Sequence, residues 1–200
     1  LNVNLINLPN VFIEQGIKRE YPFQNLASHV IGYTAAPEKS DIKDNPFLEM
    51  MDTNIGRSGI EQSLEKELRG FPGTKYLEVN ARGREIREIS KEESVNGNNI
   101  KLTVDVDLQK HVNSLLKDKN GSIVVIDVNN GEILALESSP NFDPNLFTKS
   151  ISQEEWNELI NNPRAPLVNK SISGEYSPGS TFKLIVLYSA LINKIIKPNG

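Results

Sequence analysis

Ser180 and Lys183 lie in the stretch SGEYSPGSTFKLIVLYSALINKII, where a lysine follows a serine by three residues at the head of the most apolar segment of the chain. Pro178 and Gly179 form a turn directly before the serine, so Ser180 is expected on the first turn of a helix running to about Lys197 and closed by Pro198 and Gly200. Free N–H groups and the positive end of the dipole collect there, and a developing oxyanion could be held. Lys183 falls on the same helix face, with Cβ atoms roughly 5–6 Å apart at this spacing. The residues that follow, Leu184, Ile185, Val186, Leu187, Leu191 and Ile192, are apolar on nearly every side, and such a helix is normally buried. Burial disfavours the ammonium, and a neutral lysine is a base. Beside a serine hydroxyl it can take the proton as the oxygen attacks a carbonyl, which is Ser-Lys acyl transfer without histidine. The competing reading is structural: Ser180 caps the helix and Lys183 snorkels out of its N-terminus. Spacing alone favours the cap; turn, helix start and apolar run together bring the two level.

The same Ser-x-x-Lys spacing occurs three more times, and context separates those copies. Ser40 and Lys43 lie in EKSDIKDN, which has no apolar periodicity and reads as an exposed loop. Ser63 and Lys66 lie on a helix crowded by Glu61, Glu65 and Glu67, and Lys117 sits at a helix C-terminus, where a cation suits the dipole.

The elements that must carry the pair follow from pattern. SGIEQSLEKELRG reads as a helix with Ile60, Leu64 and Leu68 on one face and Gly70 to stop it. KYLEVNARGREIREI reads as two strands around Arg82-Gly83, and the polar run from Ser90 to Asn99 as a domain boundary. After it, Ile100, Leu102 and Val104 alternate as a strand. Leu108, Val112 and Leu115 then take helical spacing, with Asp105 or Asp107 as N-cap. SIVVIDVNNGEILALES reads as a hairpin of buried strands turning at Asn129-Asn130-Gly131. Ser152 and Glu155 form a capping box before Trp156. The fold class expected is α+β.

Composition removes several alternatives. A net charge of -4 over 200 residues gives no electrostatic reason to expect nucleic acid, and the arginines at 82, 84 and 87 are interleaved with Glu78, Glu85 and Glu88. With no cysteine, thiol catalysis, disulfides and zinc-thiolate sites are excluded. His29 and His111 are too few and too far apart for a metal cluster and read as packed or surface residues. No run approaches the length of a spanning helix. The chain opens on strand-like sequence, LNVNLINL, which suggests that something precedes it.

At the serine the chain resembles a known family. YSPGSTFKL, Tyr176 to Leu184, is similar to the active-site motif of class B penicillin-binding proteins. In the family's order, REYPFQNLASHVIGY (Arg19 to Tyr33), GRSGIEQSLEKELRG (Gly56 to Gly70), LTVDVDLQ (Leu102 to Gln109) and VVIDVNNGEILALESSPNFDPNLF (Val124 to Phe147) resemble its other segments. EVNARGREIR, Glu78 to Arg87, is closer to the elongation-type branch, penicillin-binding protein 2, than to the division-type one. Gln24 and Ser177 depart from the pattern, where relatives often have glycine and the elongation type a second proline.

The resemblance implies a strand-rich pedestal of dimerisation type over 1–99, then the N-terminal part of a serine transpeptidase domain over 100–200. Ser180 would be the acyl-enzyme nucleophile and Lys183 the general base. The substrates implied are peptidoglycan stem peptides, with β-lactams as mimics of D-Ala-D-Ala, in a periplasmic domain anchored in the bacterial inner membrane. A SEDS-type glycosyltransferase and an MreC-like scaffold are the partners implied, and no metal or organic cofactor. The family's later Ser-x-Asn and Lys-Thr/Ser-Gly motifs do not occur here in a fitting context, so the 200 residues are expected to hold half an active site and to be inactive alone. The alternative is a non-catalytic interaction module of the elongation machinery.

Overall fold

The computed structural model describes residues 18–45, 48, 54–81, 85–149 and 151–197. Helices and three separate two-stranded antiparallel sheets alternate along it, which is the α+β class expected. The opening strand-like run, the Arg82-Gly83 turn and the Pro198–Gly200 stop lie outside the described residues.

The first part winds around close backbone approaches. Helix α1, Ser28–Ile31, ends at Gly32 and is followed by strand β1, Thr34–Ala35, which pairs with β2, Ile55–Gly56. Gly32 has φ +83, and a Cβ there would lie 1.8 Å from the Ser58 carbonyl oxygen, so no other residue fits. Gln24, in the turn before α1, also takes a left-handed backbone, φ 53, at a position where a side chain costs about 1–2 kcal/mol over glycine.

Two expectations in this part are corrected. EKSDIKDN is not a loop: Lys39–Asp44 forms helix α2. It needs no apolar stripe because polar contacts hold it. The Glu38 N–H donates to Asp41 Oδ2 at 2.7 Å, and the Arg57 guanidinium pairs with Asp41 at 2.9 Å. The helix expected around Ile60, Leu64 and Leu68 is divided at Leu64 into α3, Gly59–Ser63, and α4, Glu65–Arg69. The Ser63 hydroxyl donates back to the Gly59 carbonyl at 2.9 Å, a local bond of the kind that bends helices. Gly70, φ +72, ends α4 as expected.

Strands β3, Thr74–Val79, and β4, Glu85–Glu92, form the expected second hairpin. It is exposed, with Tyr76, Val79, Ile86 and Ile89 all open to solvent. The polar run from Ser90 is more structured than its composition suggests: Ser90 pairs with Tyr76, and Val95 bridges Phe71 with two 2.9 Å backbone bonds.

Ile100 to Val104 is not a strand. It runs alongside β6 without a ladder, held by Thr103 Oγ1 donating to the Ile133 carbonyl (2.7 Å) and the Asp105 N–H to Leu134 (2.9 Å). Asp105, not Asp107, caps helix α5, Val106–Leu115, accepting from the N–H groups of Asp107 at 3.0 Å and Leu108 at 2.8 Å. Strands β5, Gly121–Ile126, and β6, Ile133–Ser139, form the third hairpin, turning through Gly131 at φ +79. Its burial differs from expectation. Val124 and Ile126 are exposed, whereas Ala135, Glu137 and Ser138 on β6 are buried: α5 packs on β6 and bonds Glu137, and the segment at 168–170 covers Ser138.

Beyond β6 come a 3₁₀ turn, Pro144–Leu146, and helix α6, Gln153–Ile160. Its capping box forms as expected: the Glu155 N–H donates to Ser152 Oγ (3.2 Å), and the Ser152 N–H to Glu155 Oε2 (3.0 Å). Helix α7, Lys170–Ser173, packs on β5 and β6.

The early and late parts meet in an aromatic cluster. Tyr33 stacks on Phe147 at 4.1 Å, and Phe142 meets His29, Tyr33 and Phe147 edge-on. Asn145 clamps the backbone of Tyr21 from both sides, accepting from its N–H at 3.0 Å and donating to its carbonyl at 2.9 Å. His29 is thus packed, its Nε2 bonded at 2.8 Å to the Pro166 carbonyl, while His111 is exposed.

Two predictions follow from this packing. Asp105→Ala removes the acceptor for two helix N–H groups and should cost about 1 kcal/mol in urea unfolding. Burial also holds the His29 pKa below its ordinary value. The unfolded chain therefore binds more protons once the pH drops below about 6.5. Stability should be full above that pH and fall as the pH moves down toward the folded-state value. Thermal melts from pH 7.5 to 5.5 should show the loss, and His29→Gln should flatten it.

Candidate active site

Ser180 stands in a 3₁₀ turn, Gly179–Thr181, that runs without a break into helix α8, Phe182–Ile192. Gly179 takes φ +53, reversing the chain after Pro178. The Thr181 hydroxyl and N–H both return to the Pro178 carbonyl, at 2.5 and 3.2 Å. Thr181 and Phe182 have helical dihedrals, so the backbone from Ser180 to Lys183 makes one continuous turn and the two side chains share a face. Among the described residues, no hydrogen bond joins Ser180 Oγ to Lys183 Nζ.

The approach to the turn is tight. A Cβ on Gly174 would lie 2.5 Å from the Lys170 carbonyl oxygen and 2.6 Å from the Tyr176 ring, so glycine is required where α7 hands over to the serine segment.

The environment of the pair contradicts the expectation of burial. Lys183 is exposed, and so are Phe182, Leu184, Ile185, Val186, Leu187 and Tyr188; only Ala190 and Leu191 are half-buried. Apolar composition on every side of a helix signals a need for cover but does not supply it, and the described residues leave α8 open. No helix among them is long and apolar enough to cross a membrane.

The other Ser-x-x-Lys copies are structural. Ser40 and Lys43 lie on α2 rather than in a loop, Ser63 Oγ bonds the Gly59 carbonyl, and Ser114 Oγ bonds that of His111 at 2.6 Å.

Among the described residues two buried carboxylates escaped the sequence reading. Glu61, read only as one of three glutamates crowding Lys66, is buried. It receives Arg19 at 2.9 Å and the Tyr21 hydroxyl at 3.1 Å. Burial first, then the neighbouring carboxylate, pushes the Tyr21 pKa up to about 12. Both segments carry family motifs, but their pairing across 40 residues is invisible to local pattern. Glu137 is the second, a carboxylate 2% exposed. It accepts from Gln109 Nε2 at 2.5 Å, Asn113 Nδ2 at 2.9 Å and Asn141 Nδ2 at 2.8 Å, and the Ala27 N–H lies near it. Its signal was available: a glutamate inside the apolar strand ILALESS.

A cleft of about 340 Å³ lined by Arg19, Ile60, Glu61, Leu68 and Leu102 does not include Ser180 or Lys183. Among the described residues no group of three acidic or histidine side chains is placed to hold a metal.

Comparison with known proteins places this geometry. The profile of the penicillin-binding protein dimerisation domain matches residues 1–102, and that of the penicillin-binding protein transpeptidase domain matches residues 121–200. Peptidoglycan D,D-transpeptidase MrdA of Escherichia coli K12 is 38% identical over 98% of this chain and 32% of its own length. The chain therefore spans about a third of the length of the curated relatives it matches. Penicillin-binding protein 2 of Helicobacter pylori, solved in complex with MreC, superposes with a TM-score of 0.83 at 36% identity, over 92% of this chain and 34% of that one. The same protein from Pseudomonas aeruginosa, in complex with WCK 5153, gives 0.76 at 30% identity over 90% and 36%. Two domain matches in sequence order, together with a backbone shared with these structures, make the chain a member of the penicillin-binding proteins, related to the MrdA and penicillin-binding protein 2 group.

Proposed function

We propose that these residues are the pedestal, 1–99, and the opening of the transpeptidase domain, 100–200, of a peptidoglycan D,D-transpeptidase of cell-wall elongation. The observation that carries this is the continuous turn from Ser180 to Lys183, inside the span matched by the transpeptidase profile. In this reading Ser180 Oγ attacks the carbonyl of the D-Ala-D-Ala bond and its proton passes to Lys183 Nζ. D-alanine leaves, and the amine of a neighbouring stem peptide resolves the acyl-enzyme to form the cross-link. A β-lactam enters by the same attack and opens its ring instead of losing a leaving group. The helix dipole at the start of α8 favours the oxyanion.

Lys183 can act as a base only where its ammonium is disfavoured, so the reading includes cover for α8 by further protein. The exposed run from Leu184 to Leu187 supports that, since so much contiguous apolar surface is rarely left in water. The place of work proposed is the periplasmic face of the bacterial inner membrane.

A second role sits beside catalysis. The H. pylori relative was solved with MreC, and the β3–β4 hairpin here shows exposed apolar residues. An MreC-like scaffold is the partner proposed for this first region, and a SEDS-type glycosyltransferase is proposed on family resemblance alone.

In the full-length protein, Ser180→Ala should abolish covalent labelling by a fluorescent penicillin while leaving the thermal midpoint and capture of the MreC-like partner intact; label retained on the variant places the nucleophile elsewhere. Lys183→Arg keeps a long side chain but is cationic at every working pH and cannot take the proton. Stopped-flow acylation should slow by about 10²–10⁴, and an unchanged rate would show that Lys183 takes no proton.

A further inference from the structure

Glu137 occupies an unusual position between the early part of the chain and the segment that leads to Ser180. The Ala27 N–H lies near its carboxylate and favours the charged form. A second link runs through Asn141, whose Nδ2 donates to Glu137 Oε1 at 2.8 Å while its Oδ1 accepts from Asn25 Nδ2 at 2.9 Å. Both Asn25 and Ala27 lie in the turn before α1, in the span matched by the dimerisation domain. On the other side, Gln109 and Asn113 bring two donors from α5. Gln109 also pins β6 itself, its Oε1 accepting from the Leu136 N–H and its Nε2 donating to the Leu136 carbonyl, each at 2.9 Å.

The Glu137 carbonyl and the hydroxyl of the next residue, Ser138, hold α7. Ser171 Oγ donates to the Glu137 carbonyl at 3.1 Å, and the Lys170 N–H donates to Ser138 Oγ at 3.0 Å. Lys170 is buried as well, its ammonium donating to the Ala165 carbonyl at 2.8 Å. From α7 the chain passes through Gly174, where the Lys170 carbonyl and the Tyr176 ring leave no room for a side chain, and reaches the turn bearing Ser180. One hydrogen-bonded path from residues 25–27 to α7 thus passes through Glu137, beside the direct bond between His29 and the Pro166 carbonyl.

We propose that Glu137 is a positioning residue for Ser180: its carboxylate gathers donors from α5 and, through Asn141, ties in the turn at residues 25–27, its carbonyl seats α7, and the early region thereby sets where the serine segment sits. The proposal rests on Ser180 being the acylated residue. A carboxylate suits the task better than an amide, because every group facing it is a donor: three side-chain amide NH₂ groups and one backbone N–H. An isosteric glutamine would turn its own NH₂ against at least one of them, leaving two donors opposed in a buried site. The effect on chemistry would be displacement of the nucleophile, and small misplacements remote from the reacting atoms are known to cost large factors in rate.

The test uses the full-length protein and the variant Glu137→Gln, which keeps side-chain volume. Hydrogen exchange should quicken at two separate places, around Ala27–Ile31 and around Lys170–Gly174, with β3–β4 unchanged. Penicillin acylation should show a first-order rate lowered about tenfold with the non-covalent dissociation constant unchanged. An exchange change on one side only, a uniform change over the chain, or an unaltered acylation rate overturns the proposal. Should the variant fail to fold, Asn25→Ala cuts one link while leaving the carboxylate its other donors. It should quicken exchange at α7 without touching that helix, and no change there overturns the proposal. If the wild-type protein takes no label, the enzymatic reading fails, while the exchange experiment still decides the coupling.

Discussion

A buried carboxylate, Glu137, organises the seam between the early and late parts of the described chain. Removing a charge from water costs several kcal/mol unless its lone pairs are refilled, and Glu137 is refilled by Gln109, Asn113 and Asn141, with the Ala27 N–H nearby. Burial still dominates and lifts its pKa above the ordinary carboxyl value, with those hydrogen bonds pulling the other way. The donors come from three stretches of chain, so satisfying one side chain on β6 requires α5, the loop at 141 and the turn before α1 to be in place together. The aromatic cluster of Tyr33, Phe142 and Phe147 and the Asn145 clamp on Tyr21 then close the same seam with apolar area and backbone bonds.

Glu61 plays a similar part nearer the start of the chain, where Arg19 and Tyr21 converge on it. The two sites differ in kind. Glu61 is neutralised by a cation whose side chain is partly open to solvent, whereas Glu137 is met by neutral donors alone. The first is an ion pair tempered by water; the second keeps its place through geometry, since each amide must point inward.

At the other extreme, α8 carries all the features of a buried helix and is left open. Ser180 and Lys183 have their relative placement from the backbone of a single turn, which needs no tertiary partner. What a lysine does there depends on solvent exclusion, a property of everything around the helix rather than of the helix.

How much was readable in advance follows the same division. The Ser152–Glu155 capping box, the Gly131 turn and the end of α4 at Gly70 are interactions among residues a few positions apart, and the sequence states them in full. Lys39–Asp44 was missed because its helix is held by Arg57 instead of an apolar stripe, and Ile100–Val104 because alternation specifies a face but not a hydrogen-bonding neighbour. Leu64 interrupts a helix whose apolar spacing is intact, since periodicity cannot register a competing Ser63 bond.

By itself, then, the sequence determined the family, the α+β class and the Ser180–Lys183 pair, because motifs and short-range spacing are one-dimensional facts. Tertiary structure alone decided that Glu61 and Glu137 are interior, that His29 is packed while His111 is not, and that α8 lies open. Burial is a sum over atoms distant along the chain, and no local pattern contains that sum.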